Sequence, residues 1–323
     1  MSVKDSLISV VIPFYNELES LSILYSELEG VRLKNDLNME YVFIDDGSTD
    51  GSFEKLSSIA IENPNLKLIQ LRRNFGKSKA LFLGMLECKG DIMVTMDADL
   101  QDNPENIIGL IERLNEGFDL VGGWKKNRHD PISKTFPSLI FNWMVRKLTR
   151  TGFHDINCGL KAYRRWVIEN FTFRGEHHRF SMILSDAIGA KVTEIPVTHR
   201  PRRFGKSKFG IERFLRGFLD LITVLLLTRY LERPLHFFSK PGVVFILIGG
   251  VIFSMLVAEH LYYLFTGLKE YQLVARPLLI ISTILIVAGI QITSIGFILE
   301  YFLTVKDSNR NAKAFVNKKI NIE

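Results

Sequence analysis

Cysteine is nearly absent from this chain of 323 residues: there are two, Cys88 and Cys158, far apart. Two distant thiols exclude a disulfide framework and a cysteine-based metal cluster, and they fit a reducing compartment. The common glycine-rich nucleotide loops are also missing. Gly122-Gly123 and Gly249-Gly250 lack the spacing of a dinucleotide fingerprint and no Walker loop occurs, so dehydrogenase and P-loop readings drop out. The net charge is +6, but no aromatic-basic platform or DNA-binding motif accompanies it, so no nucleic-acid partner is expected. Attraction to phosphates or to anionic lipid is the more economical account. Residues 1–6 are polar and the next apolar run is only strand-sized, so no secretory signal is expected.

Charge is missing altogether from two long stretches, residues 242–258 and 277–299. The second, about 23 residues or roughly 35 Å of helix, is long enough to cross a bilayer. The first is shorter, but Leu261, Tyr262, Tyr263, Leu264 and Phe265 extend it past Glu259 and His260. Two buried core helices would be the rival reading. Arg229, Arg233 and Lys240 precede the first stretch, and Lys306, Arg310, Lys313, Lys318 and Lys319 follow the second. Lys269, Glu270 and Arg276 nearly cancel in the loop between them. The bias of positive charge toward the cytoplasm then puts both termini there, with two spans between.

The chain up to about Pro234 reads as a globular unit with room for a real core. Apolar runs at 7–12, 41–44, 66–71 and 92–96 read as buried strands, and 18–28, 53–61 and 79–87 carry helical patterns. Such alternation predicts an α/β fold around a mostly parallel sheet, with ligands at the carboxyl ends of the strands. Those ends are where the sequence is most unusual. The fourth strand runs into Asp97-Ala98-Asp99-Leu100-Gln101; if extended, it points Asp97, Asp99 and Gln101 to one side. Two carboxylates and an amide oxygen make a hard donor set for Mg²⁺ or Mn²⁺, and the cation could bridge to a diphosphate. A solvated turn would look the same from sequence. The second strand runs into Asp45-Asp46-Gly47-Ser48, where the acids could accept from a base N–H or a ribose hydroxyl and Gly47 permits a tight turn. Ser48, Thr49 or Asp50 could also cap the following helix.

Residues 11–17, the Asp-Asp-Gly-Ser-Thr-Asp-Gly segment from Asp45 and the Asp-x-Asp-Leu-Gln segment from Asp97 together resemble family-two glycosyltransferases of the GT-A, Rossmann-like fold. More narrowly the chain is similar to the polyprenyl-phosphate hexosyltransferases, the group of dolichyl-phosphate mannose synthase and bactoprenol glucosyltransferase. That resemblance implies a catalytic domain over 1–208, amphipathic membrane-surface helices over 209–235, two transmembrane helices over 236–305 and a basic tail over 306–323. It implies that Pro13, Tyr15 and Glu17 line the nucleotide pocket, that Asp45 or Asp46 holds the base, and that Asp97, Asp99 and Gln101 take the metal. Asp155, in Asp-Ile-Asn-Cys-Gly-Leu-Lys, would sit on the acceptor side, as a base or merely ordering its loop. Arg128 and Lys134, with Arg179, would meet the lipid phosphate, although residues 125–128 would also pass as a solvated charge run. Arg202, Ser207 and Lys208 belong to a segment like the family's mobile Gly-x-Ser-Lys loop, suited to closing over a diphosphate.

The expected chemistry is metal-dependent, inverting transfer of a hexose to a polyprenyl phosphate, with Asp99, Asp155 and Arg128 nearest the reaction. UDP-glucose is the favoured donor and GDP-mannose the close alternative. A processive polysaccharide synthase would need a Gln-x-x-Arg-Trp segment; Arg165-Trp166 occurs, but no glutamine precedes it at that spacing. A non-catalytic membrane scaffold is the alternative of another class, disfavoured by the intact Asp97, Asp99 and Gln101. Gly249-Gly250 would allow close helix packing and leaves a homo-oligomer open.

Overall fold

The computed structural model describes residues 6–126, 142–149, 151–170, 177–201, 203–204, 219–225, 228, 234–267 and 276–307. They divide into two compact units, one ending at Val224 and the other beginning at Leu225. Of the residues singled out above, Arg128, Lys134, Arg202, Ser207 and Lys208 lie outside the described residues, as do most of 209–235 and nearly all of the basic tail.

The first unit is a seven-stranded sheet in the order β3-β2-β1-β4-β6-β5-β7. Its strands are β1 Ile8–Phe14, β2 Met39–Asp45, β3 Leu66–Gln70, β4 Ile92–Thr95, β5 Leu120–Trp124, β6 Lys161–Arg164 and β7 Val192–Pro196. All seven residues of β1 and of β2 are buried, as expected of parallel strands covered on both faces. Alternation sends Ile8, Val10, Ile12 and Phe14 into one core layer and Val11 into the other. The first layer is closed by α1 (Leu21–Asn35), α2 (Ser52–Glu62) and α4 (Asn106–Asn115). The second is closed by α3 (Lys77–Leu86), α5 (Arg165–Glu169) and α6 (Ser181–Ala187). In α1 the buried positions are Leu21, Leu24, Leu28 and Val31, one stripe at helical spacing, and the helix ends where Asp36 turns left-handed.

The four expected strands and three expected helices are present, with α1 starting later and running farther than its pattern implied. Three strands were not expected. β5 carries Gly122-Gly123, β6 is only four residues long with two cations, and β7 is mostly half-buried, so none shows an apolar run. β6 runs antiparallel to both its neighbours, while every other pairing is parallel. Chain order reverses between β1 and β4, the switch point where open α/β sheets hold ligands. There β1 outruns its partner: Val11 pairs with Thr95, and Ile12, Pro13 and Phe14 continue past the end of β4.

The second unit contains α7 (Pro234–Thr266) and α8 (Pro277–Asp307), both long and apolar enough to cross a membrane. Only 17% and 11% of their apolar windows are buried, unlike core helices of a water-soluble domain. They approach closely through small residues. A Cβ on Gly289 would lie 2.5 Å from the Gly242 carbonyl, and one on Gly249 2.8 Å from that of Ser282. Gly249 is therefore spent inside this helix pair; Gly250 faces open space. Glu300 accepts from the Leu235 N–H at 3.2 Å, satisfying one of the orphan donors at the start of α7. At the other end Arg276 grips Glu259 with two hydrogen bonds of 2.9 and 3.1 Å.

Gly84 fixes the approach of α3 to the sheet: a Cβ there would meet Ile44 Cδ1 at 2.3 Å and Val11 Cγ1 at 2.8 Å. Gly84→Ala gains about 1 kcal/mol of helix propensity but overpacks a closed core at about 1–3 kcal/mol. Net destabilisation, read as a lower thermal midpoint of the detergent-solubilised chain, is the expected outcome.

Candidate active site

At the switch point the loop after β1 and the loop after β2 are laced together. Asn16, at a left-handed φ of 55°, donates its N–H to Ser48 Oγ at 2.9 Å and accepts from the Thr49 N–H at 2.9 Å. The Glu17 N–H donates to Ser52 Oγ at 3.0 Å, and the Leu18 N–H to Asp50 at 3.2 Å. Asp50 also accepts from the Ser52 N–H at 3.0 Å, so it is the acid that serves the start of α2. Pro13 is buried and Tyr15 and Glu17 are half-buried along this rim.

Asp45 and Asp46 hold the turn. Asp45 accepts from the Ser48 N–H at 2.8 Å and from Gln70 Nε2 at 3.2 Å. Asp46 accepts from the N–H groups of Phe75 and Gly76 at 2.8 and 2.9 Å. Burial pushes the Asp46 carboxyl above its ordinary range, with those two N–H groups opposing. Gly47 is required: its φ is 78°, and a Cβ would stand 2.6 Å from the Arg73 carbonyl carbon. The two acids thus bind the 70–76 segment into place, a duty the sequence did not reveal. Any contact to a base or ribose uses their remaining lone pairs.

The turn after β4 differs from the extended strand expected of it. β4 stops at Thr95, Leu100 takes a φ of 60°, and Asp99 accepts from the Gln101 N–H at 3.2 Å. Strand alternation therefore does not align Asp97, Asp99 and Gln101, because the backbone curls back once the β4 ladder ends. The Gln101 amide nitrogen lies 3.4 Å from His199 Nε2. Asp97 is half-buried and forms a salt bridge with Lys77, the first residue of α3. On its other side the main chain is as close as it can be: a Cβ on Gly159 would fall 2.7–2.8 Å from the Asp97 carboxylate. Among the described residues no three His, Cys, Asp or Glu side chains form a metal cluster. Two carboxylates and an amide nevertheless fit Mg²⁺ or Mn²⁺, which commonly bind through few protein oxygens and complete their shell with water and phosphate. Of the two carboxylates, Asp97 already has a cation, Lys77, paired with it.

Beneath this turn lies a buried charge cluster that sequence reasoning missed. Asp102 is 1% exposed, 3.0 Å from Lys125 Nζ and 3.7 Å from His199 Nδ1. Burial alone would raise its pKa, but the Lys125 ammonium and His199 outweigh burial and hold it well below the carboxylate range. The rival reading of 125–128 as a solvated charge run does not hold for Lys125, whose side chain is mostly buried in this pair. Asp155 is buried as well, and accepts from the Lys125 N–H at 3.4 Å. Lys161 is 1% exposed and donates to the carbonyls of Ile156, His178 and Arg179 and to Ser181 Oγ at 3.0–3.4 Å. Burial draws its pKa down to about 8. It ties the Asp155 segment to the short helical turn His177–Phe180, where Arg179 is half-buried and His178 Nδ1 meets Ser78 Oγ at 2.6 Å. Lys161 entered the sequence reading only as the last residue of the Asp-Ile-Asn-Cys-Gly-Leu-Lys segment, with nothing to mark it as buried; nothing marked Asp102 or His199. Both thiols are buried and pushed up to about 12, consistent with inert packing.

A mostly parallel sheet with carboxylates gathered at its switch point, beside the basic start of α3, fits an α/β transferase acting on a nucleotide sugar. The sequence profile of Glycosyl transferase family 2 matches residues 9–188. The chain belongs to that family and is a glycosyltransferase. It is 31% identical over 302 residues to the dodecaprenyl-phosphate galacturonate synthase of Rhizobium johnstonii, covering 91% of this chain and 86% of that one. It is 33% identical over 320 residues to the undecaprenyl-phosphate 4-deoxy-4-formamido-L-arabinose transferase of Yersinia pestis, covering 98% and 94%. In fold it resembles the Mycobacterium tuberculosis glucosyl-3-phosphoglycerate synthase solved with Mn²⁺ and UDP-glucose (TM-score 0.54, 18% identity, 69% of this chain and 78% of that one). Mannosyl-3-phosphoglycerate synthase from Rubrobacter xylanophilus is similar too (TM-score 0.57, 15% identity, 68% and 73%). These likenesses establish the GT-A-type fold.

Asp102→Asn would strand the Lys125 ammonium in a buried site, at about 3–5 kcal/mol. Asp102 titrates lower folded than unfolded, so its stabilisation is complete above the ordinary carboxylate pKa of 3.8 and is lost as pH falls below it. Acid unfolding followed by tryptophan fluorescence should show a shallower loss of stability below that pH in the variant than in the parent.

Proposed function

We propose that this chain transfers a sugar from a nucleotide sugar to a polyprenyl phosphate at a membrane, with inversion and with a divalent cation. The observation that carries the reading is the union, in one chain, of a family-two crevice and two bilayer-length helices. It is supported by similarity along 91–98% of the chain to two relatives named for polyprenyl-phosphate acceptors. The two helices anchor the chain in the bilayer, with both termini on the cytoplasmic side by the distribution of positive charge. Neither relative is named for glucose or mannose. Galacturonate and 4-deoxy-4-formamido-L-arabinose therefore replace the UDP-glucose and GDP-mannose preference as first candidates for the sugar.

Asp97 and Asp99 would hold Mg²⁺ or Mn²⁺, with the Gln101 side chain once it turns from His199. When bound, the cation supplies charge neutralisation for the leaving nucleoside diphosphate. Pro13, Tyr15 and Glu17 line the nucleotide side, where Asp45 and Asp46 keep the pocket's edge rigid. The acceptor is a phosphate monoester with a second pKa of about 6, largely dianionic at neutral pH. Its oxygen attacks the anomeric carbon as the bond to the diphosphate breaks, and the bonding pair leaves with the diphosphate. No base is required for such a nucleophile. Asp155, buried and accepting from the Lys125 N–H, is assigned to ordering the acceptor side, with Arg179 and, outside the described residues, Arg128 and Lys134 receiving the phosphate. Arg202, Ser207 and Lys208, likewise outside them, are assigned to the diphosphate.

The test is purified chain with short polyprenyl phosphate and a panel of nucleotide sugars, including uronate and formamido-pentose donors. Chelator should abolish transfer and Mn²⁺ or Mg²⁺ restore it; Asp97→Ala and Asp99→Ala should each lower the rate about 10³-fold or more without changing membrane insertion. Transfer that survives chelation at the parental rate sinks the metal assignment; no product with any donor sinks the function.

A further inference from the structure

We propose that Lys77 is the resident counter-cation of the acidic turn after β4: its ammonium holds Asp97 until a divalent ion and a diphosphate arrive, and it thereby makes their binding mutually dependent. The inference rests on the reading of Asp97 as a metal ligand.

Both partners of this salt bridge are held by main chain. Lys77 opens α3 directly after Gly76, whose φ is 91°, and Asp46 pins that corner through the Phe75 and Gly76 N–H groups. The next residue, Ser78, is held by His178. Asp97 is backed by Gly159 so closely that no side chain fits between them. The ammonium is thus delivered to Asp97 by construction. Among the described residues, Lys77 is the ion-pair partner of that carboxylate.

The contact is also built to be exchanged. Lys77 and Asp97 are 35% and 32% exposed, whereas Asp102 and Lys125, one layer below, are 1% and 16% exposed. An ion pair this open is screened and weak, and a divalent ion competing for the same oxygens can displace it. The freed ammonium then stands beside a metal and near the charge of buried Lys161, an unfavourable place unless an anion joins it. A diphosphate brings that anion. Metal alone must therefore expel Lys77 uncompensated, whereas metal with diphosphate gives the lysine a new partner. Coupling of this kind is reciprocal: whatever the diphosphate adds to metal affinity, the metal adds to diphosphate affinity.

The experiment measures Mn²⁺ binding to the full-length, detergent-solubilised chain by the loss of the free-Mn²⁺ electron paramagnetic resonance signal, with and without UDP, and with GDP in parallel. For the parent, a nucleoside diphosphate should tighten Mn²⁺ binding about tenfold or more. Lys77→Met should bind Mn²⁺ alone several-fold tighter than the parent and show little further gain from the nucleotide, while Lys77→Arg keeps the coupling. Equal Mn²⁺ affinity and equal nucleotide enhancement in parent and Lys77→Met overturn the proposal, with metal binding by the crevice intact. A parent chain that binds no Mn²⁺ in either condition, indistinguishable from Asp97→Asn, overturns the metal reading itself and this proposal with it.

Discussion

Carboxylates crowd one edge of this sheet, and the surrounding structure is arranged to answer their mutual repulsion. Asp45 and Asp46 are satisfied chiefly by backbone N–H groups of turns they hold together, and Asp102 by a buried ammonium. Such partners are fixed. Asp97 has instead the end of a flexible lysine, in a position open to solvent. Of these four acids Asp97 has the most solvent-open charged partner, which marks it as the position suited to exchange. The electrostatics of the fold and of the reaction are in this sense one problem, since both require negative groups to be brought together in a partly desolvated crevice.

The half of the sheet built from β1, β2, β3 and β4 was legible because parallel strands buried on both faces appear as unbroken apolar runs. β1 and β2 are the clearest cases. The other half was hidden for physical reasons that differ strand by strand. β5 substitutes glycines for bulk, so that Met182 can occupy the space over Gly122, and β6 contains a lysine whose ammonium donates to the carbonyls of His178 and Arg179, outside any local pattern. The acids of the site were visible as residue types, but their geometry was not. Nothing in Asp-Ala-Asp-Leu-Gln announces that Leu100 turns left-handed, since that conformation is rare for leucine. Lys77, Lys125 and His199 reach the acids from 20 to 97 residues away, beyond any local pattern.

The helical unit follows a different logic. Helices long and apolar enough to cross a membrane would gain no hydrophobic force from lipid to press them together, so close packing must come from shape and from polar groups. Gly242, Gly249 and Gly289 supply the shape, and the Arg276–Glu259 pair and the Glu300 contact to Leu235 fasten the two ends. The glycine pair that seemed available for another copy of the chain is half consumed here, which leaves Gly250 alone facing outward.

The reversed direction of β6 has an architectural consequence. Because it runs against β4, its first residue, Lys161, lies beside Thr95, and the segment leading into it reaches the crevice from the opposite direction to β1 and β4. One wall is therefore made by strands that are ending and the other by a strand that is about to begin. The connection between β5 and β6 takes no part in the β1–β2 and β1–β4 pairings. A scaffold with this division can vary the wall entered at β6 while the parallel half keeps its own register.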